Sequence, residues 1–296
     1  MKLGTRGSRL ATTQSQWVAD AVTALTGEVV ELTIIRTEGD NTAIPLDAPS
    51  RPGAFVATLR DALLEGRVDL AVHSFKDLPS AQPNGLVIAA VPQGEDPRDV
   101  LVSRDGLGLD DLPEGARVGT SSPRRAAALL RVRPDLEIIP VRGNVDTRIS
   151  FVTQGRVDAV VLAAAGITRL GRADEITHHL PTDVLLPAPA QGALAVECRT
   201  DSDLAERLAA LDDRTTRLRA RAERAVLRGV DAACTTALGA HAELDGDHLS
   251  LVAEVTNHRG VAFARVADDV VLDGADDCAA ADQLGLRVAD ALRQPR

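Results

Sequence analysis

The 296-residue chain has no tyrosine, one tryptophan (Trp17) and four phenylalanines. So little aromatic surface leaves few platforms for stacking bases, which argues against recognition of single-stranded nucleic acid. Lysine is almost as scarce: of 33 basic residues only Lys2 and Lys76 are lysine, the other 31 being arginine. The bases are outnumbered by 43 acids, for a net charge of −10, so a polyanion binder of the usual basic kind is excluded and nucleic acid is not an expected partner. Cys198, Cys234 and Cys278 form neither a CxxC pair nor a zinc-like spacing with histidine, which removes a disulfide framework and a structural metal. No run approaches the ~18 apolar residues of a membrane span. The opening MKLGTRGS lacks the apolar core of a signal peptide, so a cytoplasmic protein without a membrane partner is expected. The phosphate-loop pattern GxxxxGK[ST] and the hydrolase patterns HExxH and GxSxG are also missing.

What the chain does contain is a faint internal repeat. Leu3-Gly4-Thr5-Arg6-Gly7-Ser8 returns in outline as Val118-Gly119-Thr120-Ser121-Ser122, and Leu32-Thr33-Ile34-Ile35 as Leu136-Glu137-Ile138-Ile139. Gly66-Arg67-Val68-Asp69 returns as Gly155-Arg156-Val157-Asp158. The matches keep their order, each beside a strand-like apolar run, which points to two similar α/β lobes. Their offsets fall from 115 to 104 to 89 residues, so the first copy is the longer. Each copy reads as strand, tight turn, helix: Leu10–Leu25 and Arg124–Val132 are the periodic segments, while Val68–Val72 and Val157–Leu162 suit strands buried in a mostly parallel, doubly wound sheet.

In such sheets ligands bind beyond the carboxyl ends of the strands, where Gly-Thr/Ser turns offer N–H groups and hydroxyls to anions. Two facing lobes would form an anion-receiving cleft. Pro187-Ala188-Pro189-Ala190-Gln191-Gly192 reads as a hinge or crossover, with Ala193–Cys198 a strand returning to the first lobe. Residues 229–296 carry 5 arginines against 12 acids, whereas the first 228 residues are within three charges of neutrality.

The overall excess of arginine over lysine is what a codon bias towards G and C produces; the positions carry more information. Residues 117–148 hold seven arginines against three acids. Arg124 and Arg125 stand at a helix start, where positive charge opposes the helix dipole, and Arg142 and Arg148 flank the turn Gly143-Asn144. Arginines gathered at turns, with a planar fork that grips carboxylate or phosphate at two points, indicate an anionic ligand. The arginines from 214 to 228 spread around a helix and are read as a solvated face or a surface packed on the acidic last region.

Several long stretches stand out in order: Gly4-Thr5-Arg6-Gly7-Ser8, Val72-His73-Ser74-Phe75-Lys76-Asp77-Leu78-Pro79, Glu95-Asp96-Pro97-Arg98-Asp99 and Gly119-Thr120-Ser121-Ser122-Pro123-Arg124-Arg125. Leu136–Arg148, Ala165-Gly166-Ile167-Thr168-Arg169-Leu170-Gly171, Ala190-Gln191-Gly192-Ala193 and Cys234 continue the series. Together they resemble the porphobilinogen deaminase (hydroxymethylbilane synthase) family. The resemblance implies two periplasmic-binding-protein-like lobes plus a small α+β C-terminal domain carrying the cofactor cysteine. It places them at 1–94 with 190–212, at 95–189 and at 213–296. It implies a monomer that joins four porphobilinogen molecules head to tail, releasing ammonia from each, on a dipyrromethane cofactor bound through a thioether. Every ring brings an acetate and a propionate, a load that arginine pairs suit.

Residue by residue, the resemblance makes Asp77 the catalytic carboxylate and Cys234 the cofactor attachment site. Ser74, Lys76, Thr120, Ser122, Arg124, Arg125 and Arg148 match positions holding the cofactor, and Arg6, Ser8, Phe55, Arg142, Arg169 and Gln191 match the substrate side. The chain departs from the family in having Ala232-Ala233 before the cysteine in place of glycines, and a lid loop without lysines in which Arg51 could substitute. Two rivals remain from the residues alone: a non-catalytic two-lobed binder of a small polycarboxylate, and an unrelated thiol transferase using Cys234. Cys198, inside an apolar strand, reads as an inert core residue.

Overall fold

The strand, turn and helix expected in each copy of the repeat are present in both. In a computed structural model, which describes residues 1–35, 54–230, 237–256 and 263–293, the first copy gives β1 (Lys2–Thr5), α1 (Arg9–Thr26), β2 (Glu31–Ile34), α2 (Ala54–Leu64), β3 (Leu70–Ser74) and β4 (Leu86–Ala90). The second gives β5 (Asp99–Ser103), β6 (Arg117–Gly119), α3 (Pro123–Val132), β7 (Glu137–Ile139), α4 (Val145–Thr153), β8 (Ala159–Ala163), α5 (Ala164–Arg169) and β9 (His178–His179). The chain then runs through β10 (Leu194–Arg199), α6 (Leu204–Arg207), α7 (Arg214–Gly229), β11 (Ala237–Asp245), β12 (His248–Thr256), β13 (Phe263–Val271) and α8 (Asp277–Arg293).

The first sheet has the order β2-β1-β3-β10-β4 and the second β7-β6-β8-β5-β9. In each, three neighbouring strands are parallel and one strand, β10 or β5, runs antiparallel between its two neighbours. The strand returning after the Pro187–Gly192 turn is therefore real: β10 pairs with β3 and β4.

The third repeat element does the same work twice. Gly66 and Gly155 turn the chain through left-handed φ of 69° and 71°, a conformation that costs glycine little, and lead into the next strand. The following aspartates each accept the N–H of the first residue of the neighbouring strand: Asp69 from Lys2 at 2.8 Å and Asp158 from Arg117 at 2.9 Å. Both sheets are covered on both faces. In the first, Leu70 and Val72 pack with Val18 and Val22 of α1, and the intervening Ala71 packs with Leu59 and Leu63 of α2. In the second, Val161 meets Leu129 of α3 while Val160 and Leu162 meet Ile149 and Val152 of α4. Strand residues alternate between the two cores because the side-chain period is two.

The last sheet is an antiparallel meander, β11-β12-β13. Leu218, Ala222 and Val226 of α7 and Leu284 and Val288 of α8 pack against it. The arginine-rich α7 does pack on acidic partners: Arg221 and Arg228 both reach Asp282 of α8, at 2.5 and 3.6 Å. Cys198 is fully buried in the first core, where burial pushes its thiol up.

The chain divides into two compact units, Met1–Gly94 with Ala193–Arg217, and Glu95–Gly192 with Leu218–Arg296. In this division the small C-terminal sheet is grouped with the second lobe. Polar bonds explain it: Ala240 N–H donates to Pro187 O at 2.9 Å, and Arg131 of α3 reaches the buried Glu254 at 3.2 Å.

Candidate active site

In the first unit the site residues cluster at the carboxyl ends of β1 and β3. Ser8 caps α1, its hydroxyl accepting from Ala11 N–H at 3.4 Å. Arg6 lies in the same half-buried turn. Ser74 closes β3, and its hydroxyl donates to Gln14 Oε1 at 3.2 Å, tying the end of β3 to α1. One turn of 3-10 helix, Phe75–Asp77, follows. It is fastened below by the buried Phe75, whose N–H donates to Ala193 O at 3.0 Å, and by the buried Leu78. Lys76 is half-buried and the Asp77 carboxylate is exposed. A rigid, anchored turn thus presents one carboxylate to solvent.

The second unit repeats the helix start. Ser122 caps α3, accepting from Arg125 N–H at 3.4 Å, and the buried Thr120 accepts from Ser122 N–H at 3.2 Å. Arg124 and Arg125 then sit where the helix dipole disfavours cations. The offset is Asp99 at the start of β5, fully buried and directly opposite Ala163, the last residue of β8. Arg124 Nη1 donates to Asp99 Oδ2 at 2.6 Å and to Leu186 O at 2.6 Å. Arg125 donates Nε and Nη2 to Asp99 Oδ1 at 3.1 and 2.7 Å, and Nη1 to Val161 O at 2.9 Å. Burial pulls the Arg125 guanidinium below its ordinary value. The neighbouring Arg124 adds to this, and Asp99 opposes it.

Gln191 belongs to the same cluster: its Nε2 donates to Asp99 Oδ1 at 3.0 Å and to Pro97 O at 2.7 Å. Arg169 donates to Gly192 O at 2.6 Å, and burial lowers it to about 10 against the pull of Glu95. Gly192 itself (φ 89°) could not be another residue, since a Cβ there would stand 2.4 Å from Glu95 O. Arg148 Nε donates to Gly143 O at 2.9 Å, holding the turn that also carries the half-buried Arg142.

The sequence-derived set is therefore gathered unevenly. Arg124, Arg125 and Gln191 meet on one carboxylate with Thr120 and Ser122 beside them; Ser8 and Ser74 converge on α1; Arg142 and Arg148 share a separate turn. Cys234 and the lid loop lie outside the described residues, and for Phe55 only the α2 backbone is described. Two contributors were missed. Asp99 opens β5 with Glu95 and Asp96 just before it, so nothing local singles it out from its acidic neighbours as the partner of the two arginines. Gln14 carried no signal beyond its place on the buried face of α1.

Chemically, both helix starts offer hydroxyls and N–H groups to anions. Of the Arg124 guanidinium, Nη1 is committed, while its Nε–Nη2 edge bonds none of the described residues. Arg125 has all three nitrogens engaged. This donor set fits a group bearing carboxylates. Among the described residues, none of the groupings of His, Cys, Asp and Glu could hold a metal ion, and no helix is long and apolar enough to cross a membrane.

Comparison with known proteins bears on the same residues. The family model described as "Porphobilinogen deaminase, dipyromethane cofactor binding domain" matches residues 1–207, and "Porphobilinogen deaminase, C-terminal domain" matches 217–294. "Porphobilinogen deaminase 1" of Streptomyces coelicolor is 55% identical over 252 residues, covering 83% of this chain and 79% of that one. The porphobilinogen deaminase of Mycobacterium marinum is 49% identical over 293 residues, covering 98% and 93%. Among solved structures, the periplasmic VFT2 domain of Bordetella pertussis BvgS aligns with a TM-score of 0.42 at 18% identity, over 71% of this chain and 85% of that one.

Proposed function

The chain belongs to the porphobilinogen deaminase family, and on that premise we propose how its residues divide the work. It is a transferase of tetrapyrrole biosynthesis that condenses four porphobilinogen molecules head to tail, with loss of ammonia, into the linear tetrapyrrole hydroxymethylbilane. Dipyrromethane is its cofactor; when bound, that group supplies the primer from which the chain of rings grows. Cys234 holds it through a thioether, and the protein works as a cytoplasmic monomer.

Asp77 is the catalytic carboxylate. Positive charge develops on the ring that loses ammonia, and a carboxylate fixed on an anchored turn stabilises that charge, accepts from pyrrole N–H groups and relays protons. Ser74, Lys76, Thr120, Ser122, Arg124 and Arg148 hold cofactor carboxylates, with Arg125 acting from behind by fixing Asp99. Arg6, Ser8, Phe55, Arg142, Arg169 and Gln191 receive the incoming ring. The observation that carries this division is the sharing of one buried carboxylate by two buried guanidiniums at the ligand end of the second sheet. A surplus positive charge is costly there unless an anion arrives, and the open edge of Arg124 is shaped for a carboxylate.

Intact mass spectrometry tests the reading. The purified protein is expected to be heavier than its polypeptide by one dipyrromethane, to colour with an aldehyde reagent for pyrroles, and to release ammonia from porphobilinogen. A bare mass unchanged after porphobilinogen is added would refute the covalent cofactor. Binding of porphobilinogen without its consumption would favour the non-catalytic polycarboxylate binder.

A further inference from the structure

Ala190 holds a left-handed φ of 62° and is almost completely buried. Alanine disfavours that conformation by a factor of about ten, so something must keep it there. The neighbouring contact is Glu223 of α7, a buried side chain whose Oε2 accepts Ala190 N–H at 2.6 Å. Its other oxygen accepts Ala242 N–H of β11 at 2.9 Å. One carboxylate therefore fastens a strained turn to the small sheet.

The turn is a junction for the site. The residue after Ala190 is Gln191, bonded to Asp99 and Pro97, and the next is Gly192, whose carbonyl receives Arg169 Nη2 at 2.6 Å and Glu95 N–H at 3.2 Å. A hydrophobic side chain at 223 would fill the same space in the α7 face without desolvating a charge. Burial pushes the Glu223 carboxyl up to about 7, with Arg219 and the two N–H groups pulling the other way, and His241 Nδ1 stands 3.9 Å off. A carboxyl buried there at such a cost, with both oxygens on backbone N–H groups, points to position rather than stability.

We infer that Glu223 is a positioning residue: by holding the left-handed Ala190 peptide it fixes Gln191 on Asp99 and the Gly192 carbonyl on Arg169. This rests on the functional reading above only where turnover is measured.

The test is a double-mutant cycle of Glu223→Gln and Ala190→Gly, read by amide hydrogen exchange and by porphobilinogen consumption. Glutamine keeps the shape but turns one acceptor into a donor facing an N–H. In Glu223→Gln the amides of 189–192 should exchange about tenfold faster, with those of β12 and α8 unchanged, and kcat should fall about tenfold. In the Ala190→Gly background the same substitution should cost about threefold or less, because glycine keeps the left-handed turn unaided. Unchanged exchange at 189–192, or effects that simply multiply, would overturn the inference. If Glu223→Gln does not fold, the wild type decides: an Ala190 amide exchanging as fast as an open turn overturns it, and a slow one supports it. If the wild type consumes no porphobilinogen, the exchange arms still decide, since they do not depend on the reaction.

Discussion

The two five-stranded sheets share one topology yet treat a buried acid in opposite ways. Each has a strand running against its neighbours, and each such strand carries a buried carboxylate: Asp99 on β5 and Glu197 on β10. Asp99 lies opposite the last residue of β8, at that strand's carboxyl end, and shares its charge between two arginines. Glu197 lies opposite Ala71, near the start of β3, and is matched more closely. Arg60 of α2 grips it at 3.1 and 2.9 Å, Gln82 donates at 2.8 Å, and His73 Nε2 stands 3.3 Å away without completing a hydrogen bond. A matched pair near the start of β3 holds the sheet; a cluster of two arginines on one acid at the carboxyl end of β8 leaves positive charge to spare. The carboxylate just beyond the carboxyl end of β3 in the first sheet is Asp77, which is exposed.

Three substitutions separate these roles. Asp77→Asn should lower turnover by at least about 10³-fold, since it removes the charge that opposes the developing cation. The thermal midpoint should move by less than about 2 °C, because an exposed side chain contributes little to packing. A variant that keeps a tenth of the activity would take Asp77 out of its role. Asp99→Asn is the opposite case: two buried guanidiniums lose their counter-charge, and unfolding in denaturant should become easier by about 4 kcal/mol. A loss below about 1 kcal/mol would show that the carbonyls of Leu186 and Val161 suffice for the arginines.

Glu197 is read by pH. Burial alone would raise its carboxyl, but His73 and Arg60 outweigh burial and hold it at about 2, against an ordinary 4.5. Between those values the unfolded chain binds the proton and the folded one does not, so stability rises with pH across the window. The contribution is complete above about pH 5 and fades as pH falls towards 2, amounting to up to about 3 kcal/mol. Glu197→Gln should flatten that slope in acid unfolding curves; an identical slope in wild type and variant would place the acid sensitivity elsewhere.

Much of this was legible in the residues. The Gly-Arg-Val-Asp element showed the second lobe, and the structure adds that its aspartates, Asp69 and Asp158, bond the first residues of β1 and β6. Turn chemistry showed Ser8 and Ser122 at helix starts, because a short hydroxyl side chain there can accept an N–H of the first turn. What stayed hidden were partners distant along the chain. Glu197 is 137 residues from Arg60 and Glu223 is 33 from Ala190, and neither pairing has a local period or spacing. The attachment of the small sheet to the second lobe was hidden for the same reason, since it depends on Arg131 meeting Glu254. The arginine cluster was visible, but not that one of its members faces inwards.

That last difference gives the smallest predicted effect. Arg124 and Arg125 are neighbours on one helix start with one shared acid, and charge alone would make them equivalent. Lysine at 124 could still reach Asp99 but would lose the Nε–Nη2 edge, so porphobilinogen turnover should fall about tenfold with the thermal midpoint nearly unchanged. Lysine at 125 would lose the two-point grip on Asp99 or the bond to Val161 O, so the midpoint should fall by about 3 °C while turnover per folded molecule changes less than in the first variant. Paired melting curves and initial rates on the two variants decide it. Equal losses of turnover in both would mean that the two arginines face the ligand together, and that the division between an outward fork and an inward brace is wrong.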